Sequence, residues 1–307
     1  MLQLLVGTNI PFMKYRRIAY LFSSACLAAT VIWLVMHKGP RMSVDFTGGT
    51  LLQVELSQAQ PVDGIRHALD QGGFRGAEIQ TVGETGRELL LRLGLDQSAN
   101  AFPRAQQSIQ AAYPGTSVTL RRSESVGPKV GSELAQRAVW AVLLSLLGIL
   151  VYVGIRYEFK FALGAVVALF HDVVIVLGIL CFAGREISLT TVAALLTLAG
   201  YSINDTIVVF DRIRERGKQL SKETHERAFD IALNETLSRT IITSFTVFLT
   251  SLSLYFFGGE VINDFALAMV AGVAFGTYSS IYVASALALE VWTWAERRRK
   301  PVRARAA

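Results

Sequence analysis

Charge, cysteine and clustered histidine are all scarce in this chain. Only 18% of its 307 residues are charged, against 52% hydrophobic, and the mean hydropathy is +0.41. Soluble globular domains carry about 25% charged residues, so the bulk of the chain is not one. The two cysteines, Cys26 and Cys181, each lie inside an apolar run. The polar part of the chain has none, which excludes a disulfide-stapled domain there. His37, His67, His171 and His225 stand far apart without the spacing of a metal site, and no metal is expected. No G-x-x-x-x-G-K-S/T stretch occurs, which removes the phosphate-loop route to ATP. Nothing resembles a nucleic-acid-binding module, so no nucleic acid is expected as a partner.

Long apolar runs are abundant instead. They fall near 18–36, 138–155, 161–183, 187–210, 238–257 and 265–292. A helix needs about 20 mostly apolar residues to cross a bilayer core about 30 Å thick, and each run approaches or exceeds that length. The fold class expected is therefore an α-helical polytopic membrane protein with six spans. Lys14, Arg16 and Arg17 before the first run resemble the charged start of a signal peptide. That run is long, however, and His37-Lys38-Gly39-Pro40-Arg41 follows it in place of a small-residue cleavage site. It reads as an uncleaved anchor.

Lys and Arg in short loops set orientation. Lys14, Arg16 and Arg17 precede span 1; Arg156 and Lys160 separate spans 2 and 3; Arg212, Arg214, Arg216, Lys218, Lys222 and Arg227 separate spans 4 and 5. Arg297, Arg298, Arg299, Lys300, Arg303 and Arg305 form the tail. All four segments fall on one side of a six-span topology, expected to be the cytoplasm, with only Arg185 in the opposite short loops. The expected division is a cytoplasmic segment 1–17, an extracytoplasmic domain 37–137 and a basic cytoplasmic tail 297–307. The tail reads first as a topogenic signal and second as a contact for anionic membrane lipid or ribosomal RNA.

The domain between spans 1 and 2 reads as β-α-β-β-α-β. "SVDFTGGTLLQVEL" (43–56) predicts a strand pair or one kinked strand, with Gly48 and Gly49 at a bulge or turn. "PVDGIRHALDQGG" (61–73) predicts a helix stopped by its glycines. "AEIQTVGETGRELLLRL" (77–93) predicts a hairpin, 100–115 a second helix and 116–127 a last strand. That order is the ferredoxin-like arrangement, a small α+β fold that carries no function by itself.

Ionisable groups inside a span are costly and by default functional. His171 and Asp172 lie mid-way in span 3, Asp205 in the cytoplasmic third of span 4, and Arg239 at the start of span 5. Span 4 ends where span 5 begins, so Asp205 and Arg239 share a depth, and an antiparallel pair would join them. A carboxylate opposite a cation that cannot lose its proton makes a proton-operated switch. Tyr201 and Ser202 precede Asp205 by four and three residues and share its face; both are expected to support the carboxylate. Asn204 suits an interhelical hydrogen bond. Asp211 and Arg212 are expected to end the helix at the boundary. The alternative for Asp205 is a static polar staple, for Asp172 a local pair with His171, and for Arg239 snorkelling to the interface. In span 6, Ala268, Gly272, Gly276, Ser280, Ala284 and Ala288 recur every four residues. Such a stripe brings helices close, here for packing within the bundle.

Four stretches carry a resemblance: "VDFTGGT" (44–50), "SVGPKVGSEL" (125–134), "HD" (171–172) and "GYSINDTIVVFDRIRE" (200–215). In order and spacing they resemble the SecF family of membrane subunits, within the resistance-nodulation-division transporter superfamily. The resemblance implies an accessory subunit of the bacterial Sec protein translocase. With SecD it would use the proton-motive force in late steps of preprotein export across the cytoplasmic (inner) membrane. It implies SecD, the SecYEG channel, YajC and unfolded preprotein as partners. It places the family's proton-relay aspartate and arginine at Asp205 and Arg239, with protons as coupling ion and no other cofactor. Two rival readings stay open: a small-molecule or lipid exporter of the same superfamily, and an intramembrane aspartyl protease built on Asp172 and Asp205. The settings His-Asp-Val and Asn-Asp-Thr depart from those of such proteases.

Overall fold

The structure is a computed structural model that describes residues 7–83, 85–97, 100–157, 159–219 and 224–299. The outermost residues of both ends, including Lys300, Arg303 and Arg305 of the basic tail, lie outside the described residues, as does Lys222. The chain divides into two compact units, Met42–Val139 and the remainder.

The smaller unit holds an antiparallel sheet in the order β2-β3-β1-β4, from β1 (Gly49–Leu56), β2 (Glu78–Val82), β3 (Glu88–Leu93) and β4 (Val118–Val126). Helices α3 (Val62–Gln71) and α4 (Ala101–Ala112) cross between strands, completing the ferredoxin-like order. In β1 and β3 the side chains alternate; Leu52, Val54, Leu56, Leu89, Leu91 and Leu93 point inward and meet Ile65, Leu69, Ala105 and Ile109 of the helices. This alternation is the period-two pattern of a half-buried sheet. The start of the domain differs from expectation. Val44–Thr47 forms a single helical turn, α2, rather than strand. Ser43 caps it, its hydroxyl accepting from the Asp45 N–H at 3.2 Å. The two glycines then turn the chain into β1. Gly48 has φ +73°, and a Cβ on Gly49 (φ +121°) would stand 2.5 Å from the Leu93 carbonyl oxygen, so neither position accepts a side chain freely.

The larger unit contains six helical stretches long and apolar enough to cross a membrane. They are α1 (Arg16–Met36), α5 (Pro128–Arg156, in this unit from Trp140 onward), α6 (Phe159–Phe182), α7 (Leu189–Gln219), α8 (His225–Phe257), and α9 (Glu260–Ser279) continued by α10 (Ser285–Arg299). Helices α6, α7 and α9 bury the largest share, while α1, α5 and α8 keep broad apolar faces exposed. Asp211 and Arg212 do not end α7, which runs two further turns to Gln219. Arg212 and Arg216 both donate to Glu235 of α8, at 2.6 and 2.8 Å from their Nε atoms. Helix α7 therefore leaves the apolar layer as a helix, tied to α8 by charge. Ahead of α1, the Met13 N–H donates to Asp230 at 2.8 Å and Asn234 exchanges two hydrogen bonds with Ile10. Phe12 and Met13 are buried by this docking.

Helix α9 passes into α10 through one π turn, Ser280–Ala284. The Ser285 hydroxyl donates to the Ser280 carbonyl at 2.8 Å, a side-chain bond across the wider turn. Such turns recur at functional positions. The small-residue stripe faces inward here. A Cβ at Gly272 would lie 2.6 Å from Leu198, one at Gly164 would lie 2.8 Å from the Ala284 carbonyl oxygen, and one at Gly276 would lie 3.3 Å from Ser202.

Candidate functional site

The buried polar groups of the helical unit gather along α7 and around the end of α9. On α7 the inward positions include Leu195, Leu198, Ala199, Ile203, Val209, Phe210 and Ile213, an apolar stripe at helical spacing. Ser202, Asp205 and Thr206 interrupt it and are buried with it.

Asp205 is 3% exposed. Its Oδ2 accepts from the Ser244 hydroxyl of α8 at 3.1 Å. Ser244 is a hub. It accepts from the Tyr201 phenol at 3.0 Å and from the Thr277 hydroxyl of α9 at 2.7 Å. A hydroxyl has one hydrogen and two acceptor positions, so with Tyr201 and Thr277 donating, Ser244 gives its own hydrogen to Asp205. Thr277 has a second acceptor within reach, the Val273 carbonyl at 2.8 Å. The neighbouring Thr243 hydroxyl lies 3.0 Å from both the Arg239 and the Thr240 carbonyl and also acts on the Asp205 carboxylate.

Arg239 sits five residues before Ser244 on α8. Among the described ion pairs none joins it to Asp205; it is exposed and acts on the carboxylate through space. The direct pair expected from the sequence is thus replaced by a serine, because Arg239 lies on a different face of α8 from Ser244. Asn204 is also exposed and points away from the bundle.

Ser202 does not serve Asp205 either. Its hydroxyl donates to Asp172 Oδ2 of α6 at 2.8 Å. Residues three apart on a helix diverge by about 60°, enough to aim Ser202 and Asp205 at different neighbours. Asp172 is fully buried, and its Oδ2 also accepts from Ser279 of α9 at 2.7 Å. Its Oδ1 lies 2.9 Å from His171 Nδ1, and His171 Nε2 lies 3.0 Å from the Ser23 hydroxyl of α1. Two buried carboxylates are therefore held by separate sets of hydroxyls. Among the described residues no hydrogen bond joins them, as the shared-proton pair of an aspartyl protease would require.

Sequence reasoning missed Ser244, Thr277, Ser279 and Ser23. Each is a small hydroxyl inside a mostly apolar span, and only the packing of α1, α8 and α9 brings them to the carboxylates.

Two family models match the chain: "Protein export membrane protein SecD/SecF, C-terminal" over residues 106–294, and "SecD/SecF GG Motif" over residues 33–60. The chain is 45% identical over 285 residues to the protein translocase subunit SecF of Vibrio alginolyticus, covering 92% of this chain and 90% of that one. It is 41% identical over 283 residues to SecF of Escherichia coli O157:H7, covering 91% and 87%. Among solved structures it is similar to SecDF from Thermus thermophilus, with 40% identity and a TM-score of 0.83. A super-membrane-facing form of SecDF matches with a TM-score of 0.68. The chain is covered to 96% in both matches but spans only 40% of the SecDF chain.

Proposed function

Because the chain belongs to the SecD/SecF family, as a SecF-type accessory subunit of the Sec protein translocase, we propose that it couples proton flow to late steps of preprotein export, with Asp205 as the group that takes up the proton. It is a multi-pass membrane protein. The proposed setting is the bacterial inner membrane, with both termini cytoplasmic and the ferredoxin-like domain outside.

The observation that carries this reading is the filled donor set around Ser244. While Asp205 is ionised, Ser244 donates to it and accepts from Tyr201 and Thr277. A protonated Asp205 would donate in its turn, and Ser244 has no third acceptor position. One incoming donor must leave, and Thr277 already has the Val273 carbonyl at 2.8 Å. Uptake of a proton thereby exchanges donor and acceptor in the bond between α8 and α9: Thr277 gives its hydrogen to the Val273 carbonyl, and Ser244 gives the hydrogen freed from Asp205 to the Thr277 oxygen 2.7 Å away. Arg239, permanently charged, favours the return of the ionised form. Proton entry and exit then switch the direction of the hydrogen bond that ties α8 to α9.

SecD is the proposed first partner. Asn204 and Arg239 are exposed on adjoining helices, a costly arrangement against lipid, and a second helix bundle laid on α7 and α8 would remove that cost. SecYEG, YajC and unfolded preprotein follow as further proposed partners. Protons are the proposed coupling ion, and no other cofactor is invoked.

Replacing Asp205 by Asn in cells tests the reading. Secretory precursors accumulate in the cold while the variant still co-purifies with its partners. Normal precursor maturation in Asp205→Asn refutes it.

A further inference from the structure

The hydrogen atoms around His171 can be counted. Tyr278 on α9 donates its phenol hydrogen to the Ala19 carbonyl of α1 at 2.8 Å. A carbonyl cannot donate, and this is the shorter of the two Tyr278 contacts, so the phenol hydrogen lies there. The Tyr278 oxygen also lies 3.0 Å from the Ser23 hydroxyl. Since Tyr278 has no second hydrogen, Ser23 must donate to it. Ser23 Oγ is then left only as an acceptor toward His171 Nε2, 3.0 Å away. Nε2 must carry a hydrogen. The other nitrogen, Nδ1, faces Asp172 Oδ1 at 2.9 Å, and a hydrogen must lie between these two as well. Without it, a lone pair on Nδ1 would face an ionised carboxylate in a site closed to water.

We propose that His171 and Asp172 form a second proton-binding site, a net-neutral pair holding one proton between Nδ1 and Oδ1, whose release is transmitted to α1 through Ser23 and Tyr278. The pair is neutral whether the proton is written on the imidazole or on the carboxyl. Ser202 and Ser279 donate to Oδ2 at 2.8 and 2.7 Å and fix the carboxyl against α7 and α9.

Release of the proton has a defined consequence. The pair keeps one hydrogen, on Nδ1 and bonded to ionised Asp172. Nε2 becomes an acceptor. Ser23 turns its hydrogen from Tyr278 to Nε2, and Tyr278 turns its own from Ala19 to Ser23. One proton leaves, every other hydrogen is kept, and the bond from α9 to the Ala19 carbonyl is lost. The titratable groups that face this chain are Tyr278 and Tyr282 from α9 and its π turn, their rings 5.5 Å apart, and Cys26 from α1. Among the described ion pairs none brings a Lys or Arg to Asp172. The site is separate from Asp205 and does not rest on its role, but both act on one turn of α9, through Thr277 and through Ser279.

The test is nitrogen-15 NMR of histidine in the full-length chain, in lipid nanodiscs, with His37, His67 and His225 replaced by Gln so that only His171 reports. At neutral pH a protonated Nε2 is expected. On raising pH the ring converts in a single step to the tautomer protonated at Nδ1. Tyr278→Phe frees Ser23 to donate to Nε2 without the loss of the Ala19 bond and lowers the midpoint of that step by up to about one pH unit, the scale of one neutral hydrogen bond. Ser23→Ala leaves the Tyr278 bond to Ala19 in place, removes the acceptor of Nε2 and shifts its resonance. An unprotonated Nε2 at neutral pH overturns the proposal. So does a Tyr278→Phe midpoint equal to that of the parent, or, should Tyr278→Phe fail to fold, an Nε2 resonance unmoved by Ser23→Ala.

Discussion

Truncating Ser244 to Ala perturbs three hydrogen bonds whose costs differ. Thr277 loses nothing lasting, because the Val273 carbonyl stands 2.8 Å away. Tyr201 loses its partner at 3.0 Å, which costs about 0.6 kcal/mol for an average bond between membrane helices. Asp205 loses the donor at 3.1 Å. If the carboxylate stays charged, that loss is about 1.5–3 kcal/mol. If it is protonated, the loss falls to the about 1 kcal/mol of a neutral hydrogen bond. Ser244 stabilises the ionised form, so its contribution is full at high pH and shrinks as pH falls through the titration of Asp205. The destabilisation by Ser244→Ala should therefore be larger in alkaline than in acid buffer by about 0.5–2 kcal/mol. Paired thermal unfolding of parent and variant in nanodiscs at several pH values measures this. Tyr201→Phe is the control, with a small loss at every pH. An equal loss at all pH values for Ser244→Ala would show that Asp205 does not draw on Ser244 when ionised, and the exchange argued above would fail.

Other expectations follow from packing and charge. Gly164→Ala sets a methyl 2.8 Å from the Ala284 carbonyl oxygen, at the π turn; thermal unfolding should show a loss of about 1–3 kcal/mol. Gly148→Ala, with nothing within 4 Å of its Cβ, should cost nothing and gain up to about 1 kcal/mol from helix propensity. In the ferredoxin-like unit, Gly49→Ala meets the Leu93 carbonyl at 2.5 Å at φ +121°, and hydrogen exchange along β1 and β3 should accelerate by more than tenfold. Arg239→Met should leave unfolding almost unchanged, since none of the described ion pairs joins it to Asp205, yet reduce precursor maturation as Asp205→Asn does.

The apolar runs locate the six helices because about 20 apolar residues in a row match the thickness of a bilayer and little else. They do not locate the helix ends. Hydropathy falls at Asp211, but Arg, Glu, Lys and Gln are good helix formers, so α7 continues to Gln219 and α8 begins at His225. Val44–Thr47 reads as strand in the sequence because Val, Phe and Thr favour strands, while the cap at Ser43 outweighs them for one turn. Asp205 is legible from its cost in an apolar run. Its partner is not. Charge complementarity points to Arg239, whereas the packing of α8 delivers Ser244. A serine among apolar residues has no signal in a single sequence until its neighbours are known. The His171–Asp172 contact is legible as adjacency, but its extension to Ser23 and Tyr278 depends on α1 and α9 meeting α6.

The most direct measurement is proton flux into sealed vesicles that contain this chain with its SecD-type partner, under an imposed proton-motive force, comparing the parent with Asp205→Asn. The account predicts flux in the parent and its loss in the variant at equal protein content. Undiminished flux through Asp205→Asn would contradict it.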